Sequence, residues 1–170
     1  MMMKWIGAAF ILISCGCFGI ILASSHKKEV ICLKKLIASL DFMECELQFR
    51  MLALPDLCRK TAGETDGILR QVFVSLANEL EEQISPDVRR CMHCALVNIH
   101  SIPQHTLECL KILGDSLGRF DLDGQLKGLE FVRSECRLKL NKLLSNADVR
   151  IRSYQTIGLC AGAALVILLM

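Results

Sequence analysis

Residues 113–125 read "LGDSLGRFDLDGQ", and the fold turns on what this stretch is. Gly114 and Gly118 stand four residues apart, followed by Asp121 and Asp123, in a chain that is otherwise apolar and helical in pattern. Three structures use glycines and acids this way: a calcium loop, a phosphate loop and a corner between two helices. With Gly124 at the sixth position of a calcium loop, Asp121 falls third, Asp123 fifth and Glu130 twelfth. Arg119 then occupies the first position, where a carboxylate has to bind the ion, so the loop fails. A phosphate loop fails too, because no Lys-Ser/Thr pair follows the glycines to reach phosphate and magnesium. The corner explains every residue. Gly118 adopts the left-handed conformation that ends one helix, Asp121 caps the next, and Asp123 lies in its positively polarised first turn. Gly114 lets another helix come close.

Outward from that corner, the chain reads as a string of helices. Between residues 27 and 51, Val30, Leu33, Ile37, Leu40, Leu47 and Met51 recur at helical spacing, with Leu36 and Met43 widening the stripe, which predicts one long, one-faced helix. Pro55 suits the first turn of a second helix, and Gly63 with Gly67 marks its break. A third helix over 68–83 buries Leu69, Val72, Phe73, Leu76 and Leu80 and exposes Glu79, Glu81 and Glu82. Ser85, Pro86 and Asp87 read as cap, first-turn proline and first-turn acid of a fourth helix ending near His100, with Val88, Met92, Ala95, Leu96 and Ile99 inward. A fifth helix follows Pro103 to about Leu117. The sixth starts near Asp121, carries Leu122, Leu126, Leu129, Val132, Cys136, Leu140 and Leu143, and meets no proline before the end of the sequence. No stretch alternates like a strand, so the expected fold is all-α: an antiparallel bundle of about six helices.

The ends differ from the middle. Residues 5–23 and 154–170 carry no charge, and each is about long enough to cross a hydrocarbon core of roughly 30 Å as a helix. His26, Lys27 and Lys28 follow the first stretch and Arg150 with Arg152 precedes the second, so the positive-inside bias places the middle in the cytoplasm. The expected organisation is an N-terminal transmembrane anchor over 1–25, a cytoplasmic helical bundle over 26–152 and a C-terminal transmembrane helix over 153–170. The "LISC" sequence at 12–15 also resembles a lipobox that would lipidate Cys15, but the apolar run continues past it to Ala23. A cleaved signal peptide is disfavoured for the same reason. Near-neutral charge, formally +2 for the whole chain, argues against a nucleic-acid partner.

Chemistry is sparse. The ten cysteines include Cys32, Cys45, Cys58, Cys91, Cys94, Cys109 and Cys136 in the middle segment, an odd set without repeated spacing, which reads as small core residues in a reducing compartment. Cys91 and Cys94, with His100 and His105 beyond, have too short an interval between ligand pairs for a zinc finger. His93 is expected to face solvent. Glu44 and Glu46 are two apart and thus on different faces of a helix, and no nucleophile–base spacing is evident. No catalytic residue, metal site or cofactor is expected, and the chain reads as a non-enzyme.

With these residues in view, the sequence resembles the stage III sporulation protein AB family of endospore formers. That family has a corner of the form LG-x-SLG-x-x-D-x-x-x-Q, matched by Leu113, Gly114, Ser116, Leu117, Gly118, Asp121 and Gln125. A second motif, E-x-E-I-x-Y-G-x-T-P-L-P, is met by Glu44, Glu46, Leu54 and Pro55, with Leu47 and Phe49 as conservative replacements; Arg50, Leu52 and Ala53 depart from it. The resemblance implies a soluble part similar to the cytoplasmic domain of type II secretion platform protein F. It also implies a scaffold of the channel-like complex between mother cell and forespore, in the mother-cell membrane facing the forespore. The implied partners are the secretion-type ATPase stage III sporulation protein AA and other channel components, with room for a homo-oligomer. Candidate contact surfaces are the acidic edge Glu79, Glu81 and Glu82, the basic run Arg133, Arg137, Lys139 and Lys142, and the corner over 113–125 itself. The competing expectations are a membrane-bound signalling or redox-regulatory protein and a secreted lipoprotein adhesin.

Overall fold

The computed structural model describes residues 27–82, 87–99, 101–118 and 121–169, with side chains up to Ser145. The described residues form six helices and no strand: α1 over 27–50, α2 Leu54–Glu64, α3 Gly67–Glu81, α4 Val88–Val97, α5 Gln104–Ser116 and α6 Leu122–Leu169. The chain divides into two compact units, Glu29–Leu140, and a second made of Met1–Lys28 with Asn141–Met170. The first holds the bundle. In the second, the backbone from 141 to 169 is helical. The expected anchor over 1–25 lies outside the described residues, as do Ser85, Pro86 and Arg119, and of 153–169 only the backbone is described. Among the described residues no helix is long and apolar enough to cross a membrane.

Apolar spacing sets the core. Leu33, Leu36, Leu40, Met43 and Leu47 of α1, Leu57 and Cys58 of α2, Leu69, Val72, Phe73 and Leu76 of α3, Met92 of α4, Leu110 and Leu113 of α5, and Leu129, Val132 and Cys136 of α6 are all buried. Cross-helix pairs give the directions. Lys60 of α2 reaches Glu46 at 2.6 Å while Lys35 reaches Asp66, the cap of α3 just past the end of α2, and Arg59 reaches Glu81 of α3 at 2.6 Å. Arg89 of α4 meets Asp115 of α5 at 2.9 Å, and Lys139 of α6 pairs with Glu108 of α5. These pairs run α1 against α2, α4 against α5 and α5 against α6, as short connections between neighbouring helices favour.

Several expectations change. Met51 is not core: α1 stops at residue 50, and Met51 turns into the left-handed region at φ 47° with its side chain 72% exposed. Asp87 is the cap of α4 rather than a first-turn acid, its carboxylate accepting from Arg89 N–H at 3.2 Å, so the helix begins at Val88. Glu79, Leu80, Val30, Ile37, Leu122, Leu126 and Leu140 are half-buried, because each sits at the edge of its helix's apolar stripe, and Ile99 is half-buried beyond the end of α4. Gly63 lies inside α2, and the break falls at Thr65 and Asp66, with Gly67 opening α3 at φ 66°. Cys45 is exposed and Cys94 half-buried, whereas Cys32, Cys58, Cys91, Cys109 and Cys136 are buried as expected.

α5 has no side-chain cap of its own, since Pro103 occupies the cap position. Glu29 of α1 supplies one instead, accepting from His105 N–H at 3.1 Å, a carboxylate at the positive end of the helix.

A candidate docking site built from two motifs

The corner folds as its residues dictate. Leu117 ends α5, donating its N–H to Leu113 O at 3.0 Å, and Gly118 follows at φ 75°. Asp121 opens α6: its carboxylate accepts from Gly124 N–H at 3.1 Å and its carbonyl from Gln125 N–H at 2.9 Å, with Asp123 in the first turn. The two glycines are contact points. A Cβ on Gly114 would stand 2.7 Å from Met92 Cβ, and one on Gly118 would stand 2.3 Å from Val88 Cγ2 and 3.7 Å from Leu54 Cδ2. Ser116 turns its hydroxyl back to Ile112 O at 3.0 Å, and its own Cβ closes on Gly128 of α6, where an added Cβ would approach to 2.9 Å. Leu113 and Leu117 are fully buried. The corner therefore brings α5 and α6 together and seats the end of α5 and Gly118 against α4.

The second motif joins the first through Leu54. Within it, Glu44 and Glu46 point to different neighbours, as their spacing requires. Glu44 accepts from Arg133 of α6 at 2.5 Å, an arginine that also meets Asp41 at 2.8 Å. Glu46, with a side chain 12% exposed, accepts from Lys60 of α2 and lies 3.7 Å from Arg50. Phe49 is 78% exposed, and Pro55 stands in the first turn of α2. One motif thus ties α1 to α6 and to α2, and the other ties α5 to α4 and to α6.

The charged runs divide. Arg133 and Lys139 are turned into the bundle by their acids, which raise both above their ordinary values. Among the described residues Arg137 and Lys142 are exposed on α6 without an ion pair. Of the acidic edge, Glu81 pairs with Arg59, Glu82 is exposed and Glu79 is half-buried. Asp41, Lys60 and Glu29, the partners that make these arrangements, were not legible beforehand: the Glu44–Arg133 pair spans 89 residues of sequence, a distance at which helical spacing carries no signal.

Ionisable groups are set for structure. Lys139 holds the Glu108 carboxyl below the usual range, and Lys35 does the same to Asp66. Burial pushes the Cys58 thiol up to about 12. Cys136 is raised far above the thiol range, first by its hydrogen bond with Cys109 and then by burial. Cys91, at zinc-like spacing from Cys94, directs its thiol to Glu79 O at 3.8 Å, while His93 is exposed. Among the described residues no three His, Cys, Asp or Glu side chains gather where they could hold a metal ion.

By fold and site this is an all-helical bundle protein whose motif residues join its own helices. The chain belongs to the stage III sporulation protein AB family, whose model matches residues 4–170, and this membership supports a role in sporulation. It is similar to a solved structure titled "Stage III sporulation protein AB (SpoIIIAB)" at 15% identity and a TM-score of 0.60, over 72% of this chain and 98% of that one. At that identity the likeness bears on the fold alone. A comparison with curated proteins gave no match.

Proposed function

We propose that the chain is a non-enzymatic membrane scaffold of the sporulation channel-like complex, coupling a secretion-type ATPase, of the stage III sporulation protein AA type, to the membrane assembly. In this reading the apolar ends over 1–25 and 153–170 anchor the bundle in the mother-cell membrane facing the forespore. The bundle lies in the cytoplasm and corresponds to the cytoplasmic domain of type II secretion platform protein F. The observation that carries the reading is how the motif charges are used: Glu44 and Glu46 bind Arg133 and Lys60 to hold helices together. What is left for a partner is a charged exterior, Glu82 beside the Arg59–Glu81 pair at the end of α3 and Arg137 with Lys142 on α6.

The test is co-purification of the full-length chain with the ATPase from membranes, repeated with Glu79→Lys, Glu81→Lys and Glu82→Lys combined, and separately with Arg137→Glu and Lys142→Glu. Loss of the ATPase with one set, while the bundle keeps its helical circular dichroism, supports docking on that face. Recovery unchanged with both sets would sink the proposal for these surfaces.

A further inference from the structure

α5 and α6 run back from the corner against each other, and two contacts fix their register. Gly128 of α6 lies opposite Ser116 of α5, where an added Cβ would come within 2.9 Å of the serine's own Cβ. Further from the corner, Lys139 of α6 pairs with Glu108 of α5. Between these contacts, seven residues back from Ser116 and eight on from Gly128, stand Cys109 and Cys136. Each interval is about two helical turns, so the two thiols meet at one level of the helix pair. Both are fully buried, both are free cysteines, and Cys136 is hydrogen-bonded to Cys109. That bond lowers the Cys109 thiol against the opposing pull of burial, and the Lys139 cation adds to the lowering. Burial instead raises Cys32, Cys58 and Cys91. Core packing alone would be served by any small apolar residue at these two positions; it does not call for a thiol on each side of the contact.

We infer that Cys109 and Cys136 are a reversible thiol–disulfide pair, oxidised by hydroperoxide, whose bond pins α5 to α6. A disulfide needs Cα atoms ~4–7 Å apart, and a helix pair that leaves no room for a side chain on Gly128 approaches that closely. The chemistry balances in two steps. The Cys109 thiolate attacks one oxygen of hydrogen peroxide: an S–O bond forms, the O–O bond breaks, and the departing hydroxide takes the thiol's proton as water, leaving a sulfenic acid. The Cys136 sulfur then attacks the sulfenic sulfur: the S–S bond forms, the S–O bond breaks, and the hydroxyl leaves with the Cys136 proton as a second water. Two thiols have then given two electrons to one peroxide. The oxidant is small enough to reach buried sulfur through local opening of the helices. Small thiols of a reducing compartment reverse the bond by exchange, so the pair stays reduced at rest and closes under oxidant. The bridge closes the loop 109–136, which contains the corner, so α5 and α6 are then held at two points instead of one.

The test uses the full-length protein in detergent, reduced and then freed of reductant. It is treated with dilute hydrogen peroxide under conditions where circular dichroism shows the helices intact. Free thiols are then blocked, and a non-reducing digest is mapped by mass spectrometry. The expected product is a Cys109-to-Cys136 peptide that dithiothreitol removes, with Cys58, which is equally buried, still a free thiol. The oxidised protein melts about 5–15 °C above the reduced one, as closing a loop of this length implies. Cys136→Ala loses both signals, and Cys45→Ser, which removes an exposed thiol, keeps both. The peptide map is read on the unsubstituted chain, so it decides even where Cys136→Ala does not fold. Four results would overturn the inference: Cys109 and Cys136 recovered as thiols or sulfinic acids from the folded protein, either one bridged to a different cysteine, Cys58 oxidised at the same dose, or a cross-link that leaves the melting temperature unchanged. The ATPase plays no part in this assay, so its outcome is independent of the scaffold reading.

Discussion

Three glycines separate two costs that are usually confounded, the strain of a left-handed backbone and the collision of a new methyl group. Gly67 has φ 66° and open space where a Cβ would stand; Gly114 lies inside α5 with Met92 Cβ 2.7 Å from that point; Gly118 combines φ 75° with Val88 Cγ2 at 2.3 Å. Alanine at 67 meets the backbone term alone, about 1–2 kcal/mol. At 114 it meets the packing term, about 1–3 kcal/mol, offset by the roughly 0.5–1 kcal/mol that alanine gains over glycine inside a helix. At 118 both terms add with no offset, to about 2–5 kcal/mol. For a chain of this size each kcal/mol lowers the melting temperature by about 2–4 °C, so Gly118→Ala should melt between about 5 and 20 °C below the parent. The assay is thermal unfolding of the full-length protein in detergent, followed by circular dichroism at the helical band. The expected order of loss is Gly118→Ala first, with Gly67→Ala and Gly114→Ala clearly smaller. If Gly118→Ala melts together with Gly67→Ala, the corner does not clamp α4 and the packing argument fails.

Other consequences are more local. Arg133→Ala and Glu44→Ala should each destabilise modestly, and the double-mutant cycle should return a coupling of about 0.5–1 kcal/mol, as for a partly exposed pair; a coupling of zero would show that the contact does not hold α6 to α1. The lowered Glu108 carboxyl binds its proton more weakly in the folded chain than in the unfolded one. Its contribution is therefore full above the ordinary carboxylate range and is lost as pH falls through the lowered value; acid titration of Lys139→Met should lose that part of the slope. Native alkylation followed by mass spectrometry should label Cys45 first. Cys58, held at about 12 by burial, should stay unlabelled at pH ~8 until the bundle is denatured, and early labelling would mean that α2 opens readily.

Much of the fold was legible because helical periodicity is a strong local signal. The core positions Leu33, Leu36, Leu40, Leu69, Val72, Phe73, Leu129 and Val132 followed from spacing alone, and all are buried. The corner was legible because glycine and aspartate act on their own backbone. Met51 was missed because its spacing fits the α1 stripe, yet the chain turns there, at a residue with no glycine-like freedom. Asp87 was misplaced because a proline just ahead of it suggested an earlier helix start. The site was half legible. That Glu44 and Glu46 face apart follows from helix geometry, but their partners Arg133 and Lys60 are set by tertiary approach.

The opposed glutamates of α1 have a mechanical consequence. Gripped on one flank by Lys60 and on another by Arg133, the rod cannot roll about its long axis without tearing both handles loose. Any such roll would stretch both contacts together, so α2 and α6 resist it as a pair.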